Sequence, residues 1–161
     1  MKNPDTFQIT TPSDCEIAFT RVFNAHRQLV WDAMHKPEFI RRWLFGPQGW
    51  TMTVCEGEAK VGGTFRWEWQ NEDGRSMAMT GTYREVLPPE RVVRSETFEF
   101  GCEAQAGEQL GTMLLVEEGK TTRMNLVVRY PSKEARDGAL ASGMEHGMAE
   151  GYARLDALFA S

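Results

Sequence analysis

The chain has 161 residues, 41% of them hydrophobic and 25% charged, the size and makeup of one globular domain with a full core. Its net charge of −5 argues against gripping nucleic acid or anionic lipid through a basic face. No apolar run reaches the length of a membrane span.

Residues 1–14 read as a loose polar leader without the apolar core of an export signal. Cys15, Cys55 and Cys102 are odd in number and widely spaced, so they fit reduced thiols rather than a disulfide frame or a zinc site. A cytoplasmic location is expected. The first predicted strand spans 15–23, with Ile17, Phe19 and Arg21 sharing a face. Asn24 is placed to cap a short helix from Ala25 to Met34, whose Leu29, Val30, Ala33 and Met34 recur at helical spacing. Pro37 suits the first turn of a second short helix that turns Phe39, Ile40, Trp43 and Leu44 inward, and Gly46-Pro47 stops it.

From Trp50 onward the pattern changes to period two. Six strands are predicted, over 50–58, 63–71, 76–87, 91–100, 109–118 and 121–130. Gly62-Gly63, Asp73-Gly74, Pro88-Pro89, Ala106-Gly107 and Glu118-Gly119 mark the breaks. Such short connections give an antiparallel sheet. Phe65, Trp67 and Trp69 share one face of their strand, and Met77, Met79, Gly81 and Tyr83 one face of the next. Pairing these two rows makes an aromatic–methionine wall.

Ser132 to Phe159 reads as one long amphipathic helix, capped by Ser132 after Pro131. Leu140, Met144, Gly147, Met148, Gly151, Leu155, Leu158 and Phe159 fall on one face; Glu145, His146, Ala149, Ala153 and Asp156 fall opposite. Gly143, Gly147 and Gly151 form a ridge, each costing about 0.8–1 kcal/mol against Ala. Two readings offset that cost: close packing on a sheet, or room left for a ligand beside Met144, Met148 and Tyr152. The architecture is therefore α+β, a seven-stranded curved antiparallel sheet in the order β-α-α-β6-α, with the long C-terminal helix covering its apolar face.

Chemistry-bearing residues are sparse. There is no nucleophile elbow, no His-Glu-x-x-His and no phosphate loop. His26 and His35 bracket the first helix and are read as surface residues; His146 points outward. No metal site and no cofactor are expected. Among the acidic residues Glu58, Glu68 and Glu85, parity with Tyr83 makes Glu85 the one weak acid/base candidate. The alternative for Glu85 is a strand-end carboxylate paired with Arg84 or Arg91. Cys55 is read as a small apolar filler.

The stretches Thr20–Ala25 and Val30–Met34, then Lys36-Pro37-Glu38, Arg42-Trp43 and Gly46-Pro47, resemble the opening of a known family. The Lys60–Gly63 turn with Phe65-Arg66-Trp67 is the most specific part. Asp73-Gly74, Gly81–Val86, Pro88–Val93, Gly143-Met144-Glu145 and Leu155–Leu158 complete the resemblance. The chain, from about residue 15 to its end, resembles the domain homologous to the C-terminal part of the activator of the ninety-kilodalton heat-shock chaperone ATPase. That family belongs to the START-like, Bet v-like (SRPBCC) helix-grip superfamily. Gly151-Tyr152 stands where many members have Gly-Trp, and Glu58 where many have Asp. The resemblance implies a helix-grip fold. It also implies binding of a small hydrophobic molecule, in a sequestration, resistance or stress role; the aromatic–methionine wall and the facing helix row give the expected lining between the C-terminal helix and the sheet, Phe65, Trp67, Trp69, Met79, Tyr83, Met144, Met148 and Tyr152. Two alternatives stand beside it: a chaperone-associated interaction protein, disfavoured because the namesake's N-terminal domain has no counterpart here, and a cyclase or hydrolase on the same fold. A homodimer is left open.

Overall fold

The computed structural model describes residues 7–46, 48–100 and 103–160. The first six residues of the expected leader, Pro47 and Cys102 lie outside them. Eight strands form one sheet: β1 (Gln8–Ser13), β2 (Glu16–Phe23), β3 (Trp50–Gly57), β4 (Thr64–Asn71), β5 (Ser76–Leu87), β6 (Arg91–Phe100), β7 (Glu103–Glu118) and β8 (Thr121–Arg129). Their spatial order is β1-β2-β8-β7-β6-β5-β4-β3, and every neighbouring pair is antiparallel. Helices α1 (Arg27–His35) and α2 (Pro37–Ile40) carry the chain from β2 to the opposite edge at β3. Helices α3 (Lys133–Ala141) and α4 (Met144–Ala160) follow the sheet. No helix of the described residues is long and apolar enough to cross a membrane.

The α+β helix-grip architecture stands as expected, with two corrections. The sheet has eight strands rather than seven. The additional one, β1, lies where a leader was expected. It is an almost fully exposed polar edge strand pairing Ile9 with Phe19, so it carries little of the apolar alternation that marks a strand. The C-terminal segment is two helices, not one rod. Ser132 caps α3 by accepting from the Ala135 N–H at 3.1 Å, as expected. At the other end Gly143 adopts φ +81°, a left-handed conformation that ends one helix before the next begins. Farther upstream, α1 starts after His26 without a side-chain cap, rather than after a capping Asn24.

Strand periodicity explains which face is buried. Along β2, Ile17, Phe19, Arg21 and Phe23 are buried and alternate with half-exposed neighbours. The pairing carries this inner face across the sheet. Trp67 lies opposite Met79, which lies opposite Phe98; Phe65 leads to Gly81, Glu96 and Gln109; Tyr83 leads to Arg94, Gly111, Val128 and Ile17. A side chain on Gly81 would put its Cβ 1.9 Å from the Ser95 carbonyl oxygen and 2.7 Å from the Phe65 ring, so only glycine fits. Over this face sit α1, with Val30, Trp31 and Met34, and α4, with Tyr152 and Leu155.

Candidate functional site between the sheet and the last helix

The expected wall forms. Trp67 and Trp69 pair with Met79 and Met77, and Phe65 packs 4.8 Å from Trp67 and 5.5 Å from Tyr83, centroid to centroid. The Trp69 indole N–H donates to the Leu44 carbonyl oxygen at 2.7 Å, which fixes the wall against the segment after α2. Across from it, the proposed helix residues divide. Met148 packs against both the large aromatic cluster and the smaller one built from Ile17, Phe19, Val128 and Tyr130. Met144 touches only the smaller cluster, where Tyr130 Oη lies 3.8 Å from its sulfur. Tyr152 meets Phe7 and Phe23 edge-on, both at 5.5 Å, and so belongs to the β2 side rather than to the Trp67 wall.

The glycine ridge separates into three unrelated positions. Gly143 makes the helix break, Gly147 faces open space, and Gly151 lies under Trp43, whose ring carbon is 3.3 Å from where a Cβ would stand. Close packing therefore accounts for Gly151, against a tryptophan rather than a strand. Asp156, assigned to the outer face, instead grips buried Arg21 with two bonds of 3.1 and 2.7 Å.

Glu85 turns away from the interior. A bulge between Tyr83 and Glu85 shifts the register, so Glu85 pairs with Val93 and its parity with Tyr83 is lost. Its carboxylate is 43% exposed and accepts from Arg91 Nε at 2.9 Å. Arg66 bonds Glu68, and Glu58 bonds Lys60 at 3.0 Å. His35 departs from its expected surface position: it is buried, stacks on Trp31 at 4.2 Å, and its Nδ1 lies 2.8 Å from the Trp31 carbonyl oxygen. Burial lowers its pKa to about 4, so the ring is neutral at pH 7. Cys55 is buried, and burial pushes its thiol up.

A charged pair on the floor of this face was not anticipated. Arg94 Nε donates to Glu96 Oε2 at 2.5 Å, and Gln109 Nε2 donates to Glu96 Oε1 at 2.8 Å. Both oxygens of this carboxylate, 5% exposed, are thus occupied. Gly111 makes its seat, since a Cβ there would lie 3.1 Å from Oε2. The Arg94 guanidinium lies 4.7 Å from the Phe65 ring centroid and 5.0 Å from that of Trp67. Burial works to lower its pKa, but the neighbouring Glu96 carboxylate and the Tyr83 hydroxyl hydrogen bond leave it raised, so Arg94 stays cationic. Tyr83 and Tyr152 are pushed up by burial, and Tyr130 is pushed up to about 12 by burial and Glu96, so all three keep their protons. The signal was present in the sequence: Arg94 and Glu96 share parity with Val92 and Phe98, and therefore point inward with them.

Arg94 lies deep among protein atoms, yet its side chain keeps 20% of its accessible surface. Met79, Phe98, Leu126 and Met148 are likewise only partly buried although they belong to the inner face or to the helix over it. On the β2 side, by contrast, Ile17, Phe19, Phe23, Met124 and Leu155 are fully buried. Two open depressions on the surface lie elsewhere, one of about 460 Å³ beside Trp50 and Gln70, the other of about 430 Å³ around the Gly62-Gly63 turn. Among the described residues no cluster of three or more His, Cys, Asp or Glu side chains could hold a metal ion.

Residues 24–160 match the family model described as activator of Hsp90 ATPase homolog 1-like protein. The chain belongs to this family. A Rhodobacter sphaeroides protein of known crystal structure is 35% identical, with a TM-score of 0.86 over 95% of this chain and 97% of that one. An Arthrobacter aurescens protein solved by NMR shares 22% identity at a TM-score of 0.82, covering 95% of this chain and 91% of its own. A Mycobacterium smegmatis protein, Ms6760, shares 21% at 0.79, covering 94% and 96%. The latter two show the shared fold alone. No curated protein matches the chain. The family fold is typical of ligand-binding domains.

Proposed function

We propose that this chain binds a small, mainly apolar molecule between α4 and the wall of Phe65, Trp67, Trp69, Met79 and Tyr83, for sequestration, resistance or a stress role. The observation that carries the reading is the incomplete burial of Arg94, Met79, Phe98, Leu126 and Met148 on the inner face and the helix over it, beside the buried Phe65, Trp67, Trp69 and Tyr83. A well-filled core leaves no such surface. Each 100 Å² of apolar area that a ligand covers contributes roughly 2.5 kcal/mol before ordering costs. The test is a panel of apolar compounds read by tryptophan fluorescence and melting temperature. Several members are expected to quench the signal and raise the melting temperature by a few degrees; indifference across the whole panel would mean a filled interior.

A second reading draws on the family description and on the outer face of the sheet. Leu87 and Leu114 both pair with Arg91, Val116 follows on the same face, and all three are exposed. A chaperone of the ninety-kilodalton class would dock there. Retention of such a chaperone by immobilised protein, lost in Leu114→Glu, is the outcome this reading requires.

A further inference from the structure

The polar floor says what kind of molecule the gap accepts. Resting on the ligand-binding reading above, we propose that the bound molecule is uncharged and carries a hydrogen-bond acceptor of the carbonyl class, which meets the Arg94 guanidinium. Three observations lead there. Of the two charged side chains on the floor, the cation is the one that keeps surface, 20% against 5% for Glu96. The carboxylate is closed off by Arg94, Gln109 and the Gly111 backbone, so a ligand meets donors rather than acceptors. The guanidinium is held beside the Phe65 and Trp67 rings and bonded to Glu96 through Nε, which fixes its position before anything binds.

Charge balance then selects among acceptors. Arg94 is already neutralised by Glu96 at 2.5 Å. An incoming carboxylate would place a second negative charge on a guanidinium already paired with Glu96, so repulsion from Glu96 would offset much of its Coulomb gain while it shed its hydration. The other charged pair bridging this interior, Arg21 with Asp156, is balanced as well, and the nearby Tyr83 and Tyr152 phenols are neutral. A ketone, lactone or quinone oxygen gains a charge-assisted hydrogen bond at a far smaller desolvation cost. A plain hydrocarbon would expel water from the guanidinium and return nothing to its N–H groups.

The experiment uses three probes on one skeleton, acetylnaphthalene, ethylnaphthalene and naphthoate, titrated into the full chain at neutral pH by calorimetry. Acetylnaphthalene is expected to bind at least about tenfold more tightly than either of the others. Equal binding of acetylnaphthalene and ethylnaphthalene overturns this inference while the ligand-binding reading stands. Tightest binding of naphthoate overturns the requirement for a neutral ligand. Binding of none of the three removes the ligand-binding reading together with this one. The double variant Arg94→Met, Glu96→Gln keeps a partner for Gln109 and is expected to bind the acetyl and ethyl probes alike; a preference that survives there means Arg94 is not the donor. On the unaltered protein, the Arg94 side-chain N–H resonances are expected to move with acetylnaphthalene and stay fixed with ethylnaphthalene, and the reverse result overturns the assignment independently of how the variant folds.

Discussion

Two arginines on the same inner face, one buried and one partly exposed, are held in different ways. Arg21, 3% exposed, reaches across to α4 and makes a two-pronged grip on Asp156, so it ties helix to sheet. Arg94 is paired with Glu96, two residues along its own strand. The first pair stands near the fully buried Ile17, Phe19, Phe23, Met124 and Leu155, the second where Met79, Phe98 and Met148 are only partly buried beside the buried Phe65, Trp67, Trp69 and Tyr83. The difference teaches that a buried ion pair is informative through what it connects. Arg21 and Asp156 join helix to sheet and are part of the scaffold; Arg94 and Glu96 stay within the sheet, with Tyr83 and Gln109 as further partners, and leave 20% of the Arg94 side chain uncovered.

The largest effect that could break this contrast comes from Asp156→Ala, which strands a buried guanidinium. It is expected to cost about 3 kcal/mol in urea unfolding, moderated because Asp156 itself is 27% exposed. A loss no greater than that of the Arg94→Met, Glu96→Gln double variant would place the two pairs on an equal footing. Next comes pH. The folded pKa of His35, about 4, lies below its unfolded value of 6.5. The stability it contributes is complete above pH 6.5 and lost as pH falls toward 4. Between pH 6.5 and 4.5 wild type is expected to lose about 2 kcal/mol more than His35→Gln, measured by denaturant midpoints at each pH. Equal slopes would mean that water reaches the ring.

Smaller, but most direct on packing, is a matched enlargement. Met124 is fully buried in the large core cluster, and Met148 packs against that cluster while only partly buried. Met124→Phe is expected to cost about 1.5 kcal/mol by overpacking, and Met148→Phe under about 0.5 kcal/mol while weakening acetylnaphthalene binding. Equal costs would show both positions filled. The smallest effect is at Glu85, whose ion pair with Arg91 is exposed on both sides; Glu85→Gln is expected to change stability by about 0.5 kcal/mol or less.

Much of this arrangement was legible before any coordinates. Strand β4 alternates Phe65, Trp67 and Trp69 with Arg66, Glu68 and Gln70, so its inner face needed no tertiary information. The Met77–Tyr83 row followed from hairpin connection. What escaped depended on features that alternation does not carry. The bulge after Tyr83 inserts one residue and reverses the parity of the strand beyond it, which sends Glu85 outward and Val86 inward. Strand β1 is polar because it is an edge, paired on one side and exposed on nearly every residue. Spacing groups Gly143 with Gly147 and Gly151, although its left-handed conformation, not its neighbours, is what requires a glycine there. Arg94 and Glu96 are hidden because charged residues on strands usually face water, and only their shared parity with Val92 and Phe98 points them inward.

The i, i+2 placement of Arg94 and Glu96 has one more consequence. Strand pleating alone aims both side chains the same way, so the donor is ready as soon as β6 joins the sheet, whichever side chains α4 later lays above it. On the ligand-binding reading proposed above, substitutions along the helix recast the ceiling for a bulkier or slimmer guest without retuning the anchor beneath. A family built on this frame could diversify what it holds by altering one layer at a time.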